Sequence, residues 1–457
     1  MLIGCGGYTF NGRWFDCLER FAAVRAALPS VRVSVLIDAP QRPPNLSGAL
    51  DATTLASHAG SAPSHAFPFA TPLYVLFSSG TTGLPKCIVH GAGGTLLKHR
   101  SEQLLHGDFR PGERVLFFTT CGWMMWNWLV SALAGGSTVC LYDGAPFAPD
   151  PGVLLRYVEE EHVDHFGISP GYLSQLAKLG YSPRTRHDLS RVRSVLSTGS
   201  PLAAELFRWH YEHLQPHARL ASITGGTDLI GCFALGNPLL PVRAGEIQCA
   251  ALGMDIAFVD DAGVAVPPGE QGELVCRRSF PSVPLGLLDD ADGSRLRAAY
   301  FDRYPGIWHH GDYGEFTAAG GVVIHGRSDA TLNRAGVRIG TAEIYRQLEA
   351  FAEIAEAIAV TQQRGADLRM VLFVRLQPGA NLDEPLEIRV RNALRQHASP
   401  RHVPDLIVAV PDLPRTRSGK LTELAVRELI HGREVKNAGA LSNPEALDYF
   451  RDHPALQ

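Results

Sequence analysis

The sequence is poor in the features that would commit it to a membrane, to nucleic acid or to an oxidising compartment. No apolar stretch approaches the roughly 18 residues needed to span a bilayer. The opening "MLIGCGGYTFNGRWF" has no basic region followed by a long apolar one, so no secretory leader is expected. No basic run stands out, and 42 Lys and Arg are slightly outnumbered by 46 Asp and Glu, for a net charge of −4. Nucleic acid and anionic membrane surfaces are therefore not expected as partners. The eight cysteines (Cys5, Cys17, Cys87, Cys121, Cys140, Cys232, Cys249 and Cys276) are widely spaced and form no CxxC pair. This argues against a disulfide framework or a zinc site and suits reduced thiols in a cytoplasm, the expected compartment. Two common nucleotide motifs are also missing. Neither "SSGTTGLPK" nor "RTRSGKL" has GxxxxGK[ST] spacing, and no GxGxxG follows a strand. There is no internal repeat and no low-complexity tract.

What is present describes a globular chain with sizeable cores. It has 457 residues, 45% hydrophobic and 19% charged, enough for two or more domains. Helical and strand-like segments alternate through the first two hundred residues. "FDCLERFAAVRAALP" has helical apolar spacing, "VRVSVLID" reads as a buried strand, and the Pro- and Ser-rich residues 40–70 read as a surface connection. "PLYVLFSS", "RVLFFTT", "STVCLYD", "VDHFGIS" and "VRSVLST" continue as strands between helical stretches. That alternation predicts an α/β fold, a mostly parallel sheet covered on both faces. From about residue 235 the pattern changes to short β segments with Gly/Pro turns, as in "GELVCRR", predicting a small antiparallel sheet or barrel. After "GGVVIHGRSD" a smaller α+β pattern follows. The expected division is a large domain over 1–326, with its β-rich part at about 235–326, a hinge at 327–331 and a small mobile C-terminal domain over 332–457.

The stretch "LFSSGTTGLPKCIVH" (76–90) carries the first chemical signal. Gly80 and Gly83 let backbone N–H groups converge on an anion without interference from Cβ atoms. Ser78, Ser79, Thr81 and Thr82 add hydroxyl donors, and Lys86 adds a positive charge. A flexible solvated loop is the alternative for this segment taken alone. Five further stretches follow it in order: "LSTGSPL" (196–202), "ITGGTDL" (223–229), "WHHGDYGEF" (308–316), "HGRSDATLNRAGVRIGTAEIY" (325–345) and "LPRTRSGKL" (413–421). Together the six resemble the ordered motifs of the adenylate-forming superfamily, which includes acyl-CoA synthetases, firefly luciferase and peptide-synthetase adenylation domains. Within it, "TTCGWMMWNW", "SITGGTDLIGCFALGNPLLPV", "RAAYFDRYPGIWHHGDY" and "VKNAGALSNPEALDYFRDHP" resemble the branch of acyl-CoA synthetases that activates acetoacetate. The resemblance runs from about Gly7 to the C-terminus. Such proteins carry a long additional N-terminal segment, so this chain is expected to begin inside the large domain.

The resemblance implies ATP, coenzyme A and Mg²⁺ as cosubstrates and cofactor, and a small acid as substrate. It implies that Ser79, Gly80, Thr81, Thr82, Gly83 and Lys86 hold the β- and γ-phosphates, Thr227 the α-phosphate, and Asp228 the magnesium. Asp228 stands where many members have Glu, and either supplies a hard oxygen ligand for a hard cation. Asp312 and Arg327 would meet the ribose; Gly199, Ser200 and Pro201 would line the adenine site; Arg338 would contact phosphate. Lys420 would bridge the substrate carboxylate and the α-phosphate. Asp329 matches the hinge, about which rotation would withdraw Lys420 and bring Gly336 to the pantetheine arm, with the CoA nucleotide near Arg395 or Arg401. His309 and His310, adjacent on a strand, point to opposite faces and are read as structural rather than as shared metal ligands.

The acyl pocket implied by the resemblance is formed by Met124, Met125, Trp126, Thr198 and Gly225. Acetate-activating relatives carry a tryptophan at the Gly225 position, so a short acid larger than acetate is expected. Pocket residues do not separate acetoacetate from butyrate or another short acid, and buried Met and Trp residues also serve as plain core. A nucleotide-binding chain without catalysis is the alternative from another class. Composition and motifs are silent on oligomeric state.

Overall fold

The computed structural model describes residues 1–38, 44–57, 60, 65–78, 86–328, 332–334, 337–364, 367–416, 419–435 and 438–456. It divides into two compact units, residues 1–67 with 142–157, and residues 68–141 with 158–457.

In the first unit, strands Leu2–Cys5, Ser34–Ile37 and Leu50–Asp51 form a parallel sheet. Helix Leu18–Ala27 supplies Phe21 to a small core with Leu36, Leu46 and Ala49. Two of those residues correct an expectation. Residues 40–70 are not all surface connection, because Leu46 and Ala49 are buried and Leu50–Asp51 adds the third strand. Proline and serine mark turns, but a strand of two residues is too short to show any periodicity. A hairpin, Gly7–Phe10 with Arg13–Asp16, turns through Asn11 and Gly12, both at positive φ. Asn-Gly between apolar runs is a strong signal for this turn.

The second unit is built on a five-stranded, all-parallel sheet. Its order is Thr138–Cys140, Arg114–Phe117, His165–Ile168, Ser194–Ser197, Arg219–Ser222. All four residues of each of the strands His165–Ile168 and Ser194–Ser197 are buried. A central parallel strand is covered on both faces, so even the polar Ser194, Ser197 and His165 of these strands are buried. Beside it lie an antiparallel sheet of Gly286–Leu287, Lys86–Gly91 and Pro72–Ser78 and another of Ile256–Val259, Gly272–Cys276, Trp308–Phe316 and Val322–Arg327. The latter is the β-rich element expected after residue 235. The chain is thus α/β with a parallel sheet core, followed by a smaller C-terminal part.

That C-terminal part has its own sheet, Ile354–Arg364, Asp367–Leu376 and Leu406–Ala409. Side chains alternate between faces along a strand, and here both faces are covered. Ala357, Ala359, Leu372 and Val374 join a core with helices Thr341–Leu348 and Glu384–His397. Ile358, Val360, Val371 and Phe373 join a second core with helix Glu423–Ile430 and Phe450. Among the described residues, no helix is long and apolar enough to cross a membrane.

Candidate active site

In the parallel sheet the strand order reverses at Arg114–Phe117, whose two neighbours, Thr138–Cys140 and His165–Ile168, follow it in sequence on opposite sides. Sheets of this kind bind ligands outside the carboxyl ends of their strands, and "LSTGSPL" lies at such an end. Ser197 is the last residue of its strand, and the Thr198 hydroxyl donates to the carbonyl of Ile223 at 2.9 Å. This ties the segment to the start of "ITGGTDL". Gly199 presents its side-chain direction to the ring of Trp123, which packs edge-on against Phe117, while Ser200 and Pro201 are exposed.

"ITGGTDL" forms strand Thr224–Gly226, paired with Gly231–Leu235. A Cβ at Gly225 would lie 2.0 Å from the carbonyl oxygen of Gly231. Glycine is needed here because two backbones meet, before any question of an acyl-pocket wall. Thr227 follows the strand, and its carbonyl accepts from His90 Nε2 at 2.9 Å. Burial pushes His90 down to about 4, so the ring is neutral at neutral pH.

Asp228, next in the chain, faces a cleft of about 250 Å³ lined also by Lys86, Tyr300, Arg303, His309, His310 and Arg327. Lys86 Nζ is 3.6 Å from Asp228 Oδ1 and donates to the Tyr300 hydroxyl at 3.1 Å, and that hydroxyl donates to Asp228. Tyr300 stacks on Trp308 with centroids 3.9 Å apart and planes 11° from parallel. Burial alone would raise the Asp228 carboxyl. The positive potential of His310, Lys86 and Arg327, with the Tyr300 hydrogen bond, holds it down to about 2. The result is a carboxylate kept ionised inside the protein.

The ladder of strand Trp308–Phe316 explains how its side chains reach the cleft. Burial alternates along it, so His310 and Asp312 share the covered side and His309 lies on the other. Asp312 is directly opposite Arg327 in the register, and Arg327 Nη1 donates to Asp312 Oδ1 at 3.1 Å. His310 Nε2 is 3.6 Å from Asp312 Oδ2, and burial lowers its pKa despite that carboxylate and Asp228. His309 bonds instead to buried Glu273 at 3.1 Å, and Glu273 also holds Arg303 at 2.6 Å and Ser328. The two histidines both line the cleft but sit in separate bonding networks, His309 with Glu273 and His310 with Asp312.

Lys420 enters the same electrostatic field from the C-terminal part. Thr416 and Lys420 close a tight turn, with Thr416 N–H donating to the Lys420 carbonyl at 2.8 Å and Lys420 N–H donating to the Thr416 hydroxyl at 3.1 Å. Gly419 takes the left-handed conformation, φ +81°, that the turn requires. The Lys420 side chain keeps an open surface to water, yet protein surrounds it closely. That crowding lowers its pKa against the pull of Asp312 and Asp228.

Lys86, Asp228, Asp312, Arg327 and Lys420, separated by up to 334 positions in sequence, thus converge on one region. Met124 and Met125 are buried in the main core, which Tyr300 and Trp308 also join, and Trp126 is half-buried. Arg395 is exposed in the last turn of helix Glu384–His397, bonded to Asn392, and Arg401 is exposed as well. Ser79, Gly80, Thr81, Thr82, Gly83, Asp329 and Gly336 lie outside the described residues, as does the side chain of Arg338.

Comparison with known proteins decides the family. The AMP-binding enzyme family matches residues 15–283, and the AMP-binding enzyme C-terminal domain matches residues 343–420. The chain belongs to the AMP-binding enzymes. Relatives within this family include the acetoacetyl-coenzyme A synthetase of Rhizobium meliloti, 52% identical over 98% of this chain and 70% of that protein. The acetoacetyl-CoA synthetase of Mus musculus is 43% identical over 100% of this chain and 70% of its own. The solved acetoacetyl-CoA synthetase from Streptomyces lividans superposes with a TM-score of 0.92 at 41% identity, covering 99% of this chain and 70% of that one.

As an AMP-binding enzyme the chain shows aromatic residues in and near the site to which motif reading gives no role. Tyr300 joins Lys86 to Asp228, and Trp308 stacks beneath it. Trp123 faces Gly199. None of the three has a tell-tale spacing, since each is brought in by tertiary packing. The stretches "RAAYFDRYPGIWHHGDY" and "TTCGWMMWNW" contain all three, but carry the family resemblance without giving these aromatics a role.

Proposed function

We propose that this AMP-binding enzyme joins acetoacetate to coenzyme A at the expense of ATP, giving acetoacetyl-CoA, AMP and pyrophosphate. The substrate rests on relatives that carry acetoacetyl-CoA synthetase as their name over nearly the whole of this chain. The chemistry is supported by one observation: Lys86, Asp228 and Arg327 line one cleft, Asp312 pairs with Arg327 beside it, and Lys420 lies in the electrostatic field of Asp228 and Asp312.

A carboxylate is a poor electrophile because oxide is a prohibitive leaving group. In the first step an acetoacetate oxygen attacks the α-phosphorus of ATP, the bond to the bridging oxygen breaks, and pyrophosphate leaves. Two anions must meet for this, so preorganised cations are the main need of the site. Lys420 would bridge the substrate carboxylate and the α-phosphate as charge develops there. Lys86, with Ser79–Gly83, would hold the leaving phosphates. Asp312 would accept from the ribose hydroxyls with Arg327 beside it, and Gly199, Ser200 and Pro201 would flank the adenine. In the second step the CoA thiolate attacks the acyl carbon and AMP leaves. The small domain, with its boundary at 326 and hinge at 327–331, would turn to present Gly336 and release Lys420.

Mg²⁺ fits the donor set. Asp228 offers an ionised oxygen within the cleft, and among the described residues no cluster of three metal-binding side chains exists. Magnesium commonly takes one or two carboxylates together with substrate phosphates. When bound it would screen phosphate charge. Meanwhile Tyr300 and Lys86 keep Asp228 ionised and oriented.

The test is acetoacetate-dependent AMP release with ATP, Mg²⁺ and CoA, beside Lys420→Ala, with acetate and butyrate as competing acids. Loss of the adenylation rate by about a hundredfold or more in the variant is expected. Equal turnover by the variant, or preference for another acid, would overturn the reading.

A further inference from the structure

The turn that carries Asp228 is held in a conformation its own residues do not favour. Residues 227–230 form a tight reversal, closed by the Ile230 N–H donating to the Thr227 carbonyl at 3.2 Å. Ile230 stands at φ +45°, in the left-handed region. A side chain branched at Cβ is a rare occupant of that region, because the branch crowds the backbone. Such strain persists only where the surroundings over-determine it. Here they do so through the carbonyls of the turn. His90 Nε2 lies 2.9 Å from the Thr227 oxygen, the Ser282 hydroxyl donates to the Leu229 oxygen at 2.6 Å, and His99 Nε2 lies 2.5 Å from the Ile230 oxygen. A carbonyl only accepts, so both imidazoles carry a proton on Nε2. The donors come from strand Lys86–Gly91, from residue 282 and from helix Ala92–Ser101, and all are buried, as are Leu229 and Ile230.

His99 does not line the cleft, and its Nδ1 is fixed 2.8 Å from the Ser131 hydroxyl. Three residues on, in the helix's continuation Glu102–His106, Glu102 accepts from the Cys232 N–H at 2.7 Å and from Trp128 Nε1 at 2.8 Å. Lys98 Nζ lies 3.2 Å from the same carboxylate. The helix thus grips the chain where it leaves the turn, while Lys86 and the Tyr300 hydroxyl meet Asp228 itself. We infer that His99 is a positioning residue: by capping the Ile230 carbonyl it maintains the strained turn and so aims Asp228 into the cleft, with His90 and Ser282 completing the clamp. The role depends on the proposed reaction, in which Asp228 takes Mg²⁺. Without the His99 donor a buried carbonyl is left unpaired, which is costly. Rotation of the turn relieves both that loss and the strain at Ile230, and it carries the Asp228 carboxylate away from Lys86 and Tyr300.

The experiment reads binding and geometry. Mn²⁺, which shares the preference of Mg²⁺ for octahedral oxygen ligands, is titrated into the chain with ATP, and electron paramagnetic resonance measures the free ion. His99→Phe should weaken Mn²⁺–ATP binding by about tenfold or more. His99→Gln, which keeps an N–H near the Nε2 position, should restore most of it. His210→Phe removes another buried histidine donor, 2.9 Å from the Ala218 carbonyl, and should lower stability without moving the binding. A crystal structure of His99→Phe should show Ile230 at negative φ and Asp228 withdrawn from Lys86. If circular dichroism shows that His99→Phe does not fold, Ser282→Ala, which deletes one hydroxyl, decides by the same titration, with weaker binding expected. Unchanged binding in the folded variant, equal weakening by His210→Phe, or a structure with Ile230 and Asp228 unmoved would each overturn the inference. None of these readouts needs acetoacetate or turnover, so failure here is distinguishable from failure of the proposed reaction.

Discussion

At the level of single residues, burial and neighbouring charge together set several protonation states. In Asp228 the neighbours His310, Lys86, Tyr300 and Arg327 outweigh burial and keep the carboxylate ionised at neutral pH. His210 is a structural example. It is fully buried, its Nε2 donates to the Ala218 carbonyl at 2.9 Å, and desolvation lowers its pKa from 6.5 to about 4. The unfolded chain therefore binds a proton near pH 6.5 that the folded chain refuses until about pH 4. Stability must fall as pH drops through this window. From pH 7 to pH 5 the loss from this one group should be about 2 kcal/mol. His210→Gln should flatten the urea-denaturation profile by a similar amount between those pH values, and an unchanged slope would mean that the ring is not kept neutral by burial. His90, lowered to about 4 by the same cause, adds to the fall in the parent.

At the level of elements, the hairpin Thr224–Gly226 with Gly231–Leu235 shows how local packing constrains substrate choice. The missing side chain at Gly225 reads in sequence as an enlarged acyl pocket. The structure directs that side chain at the Gly231 carbonyl, 2.0 Å from a Cβ, with Cys232 Cα at 2.8 Å. Gly225→Ala is therefore expected to cost about 1–3 kcal/mol through overpacking, measured by urea denaturation. Gly225→Trp should unfold or displace the hairpin rather than simply shrink the pocket. A stable Gly225→Trp protein with unaltered spectroscopy and a new preference for acetate would refute this. Motif reading locates the segment because "TGGTDL" has a distinctive composition. It does not reveal the direction of a Cβ, which depends on the bulged register of a partner strand.

At the level of the whole molecule, the carboxylate of Glu343 ties the C-terminal part to the β-rich sheet. From helix Thr341–Leu348 it meets His325 Nδ1 at 3.1 Å, accepts from Gln271 at 3.0 Å, and meets His402 Nε2 at 2.5 Å. His325 also faces Glu315 at 3.3 Å, and His402 meets Ser399 at 2.8 Å. Desolvation would raise the Glu343 carboxyl, but the two histidines overcome it and hold it well below the usual range. A depressed carboxylate contributes stability above its unfolded pKa and loses it as pH falls through the folded one. Glu343→Gln should therefore lower stability at pH 7 by about 2 kcal/mol, with the difference shrinking below pH 4.5, the ordinary value for the group. Since Lys420 enters the field of Asp228 and Asp312 from the same C-terminal part, the variant should also slow adenylation. Equal stability of variant and parent at pH 7 would remove Glu343 from this role.

Local sequence determined much of this protein. Gly, Ser and Thr between a strand and Lys86 predict an anion loop, since few other side chains permit backbone N–H groups to converge, and that loop lies outside the described residues. The alternation of "WHHGDYGEF" put His309 and His310 on opposite faces, and strands alternating with helices predicted a parallel sheet covered on both faces. These readings depend on local periodicity and turn chemistry, which the segments carry by themselves. Tertiary structure alone decided which of the marked residues meet. The cross-strand register paired Asp312 with Arg327, a stacked Trp308 brought Tyr300 to Asp228, and a turn far along the chain placed Lys420 in their field. It also decided that Ile230 takes a left-handed backbone, because that conformation is held by donors folded against the turn from other elements and is not favoured by the residue itself.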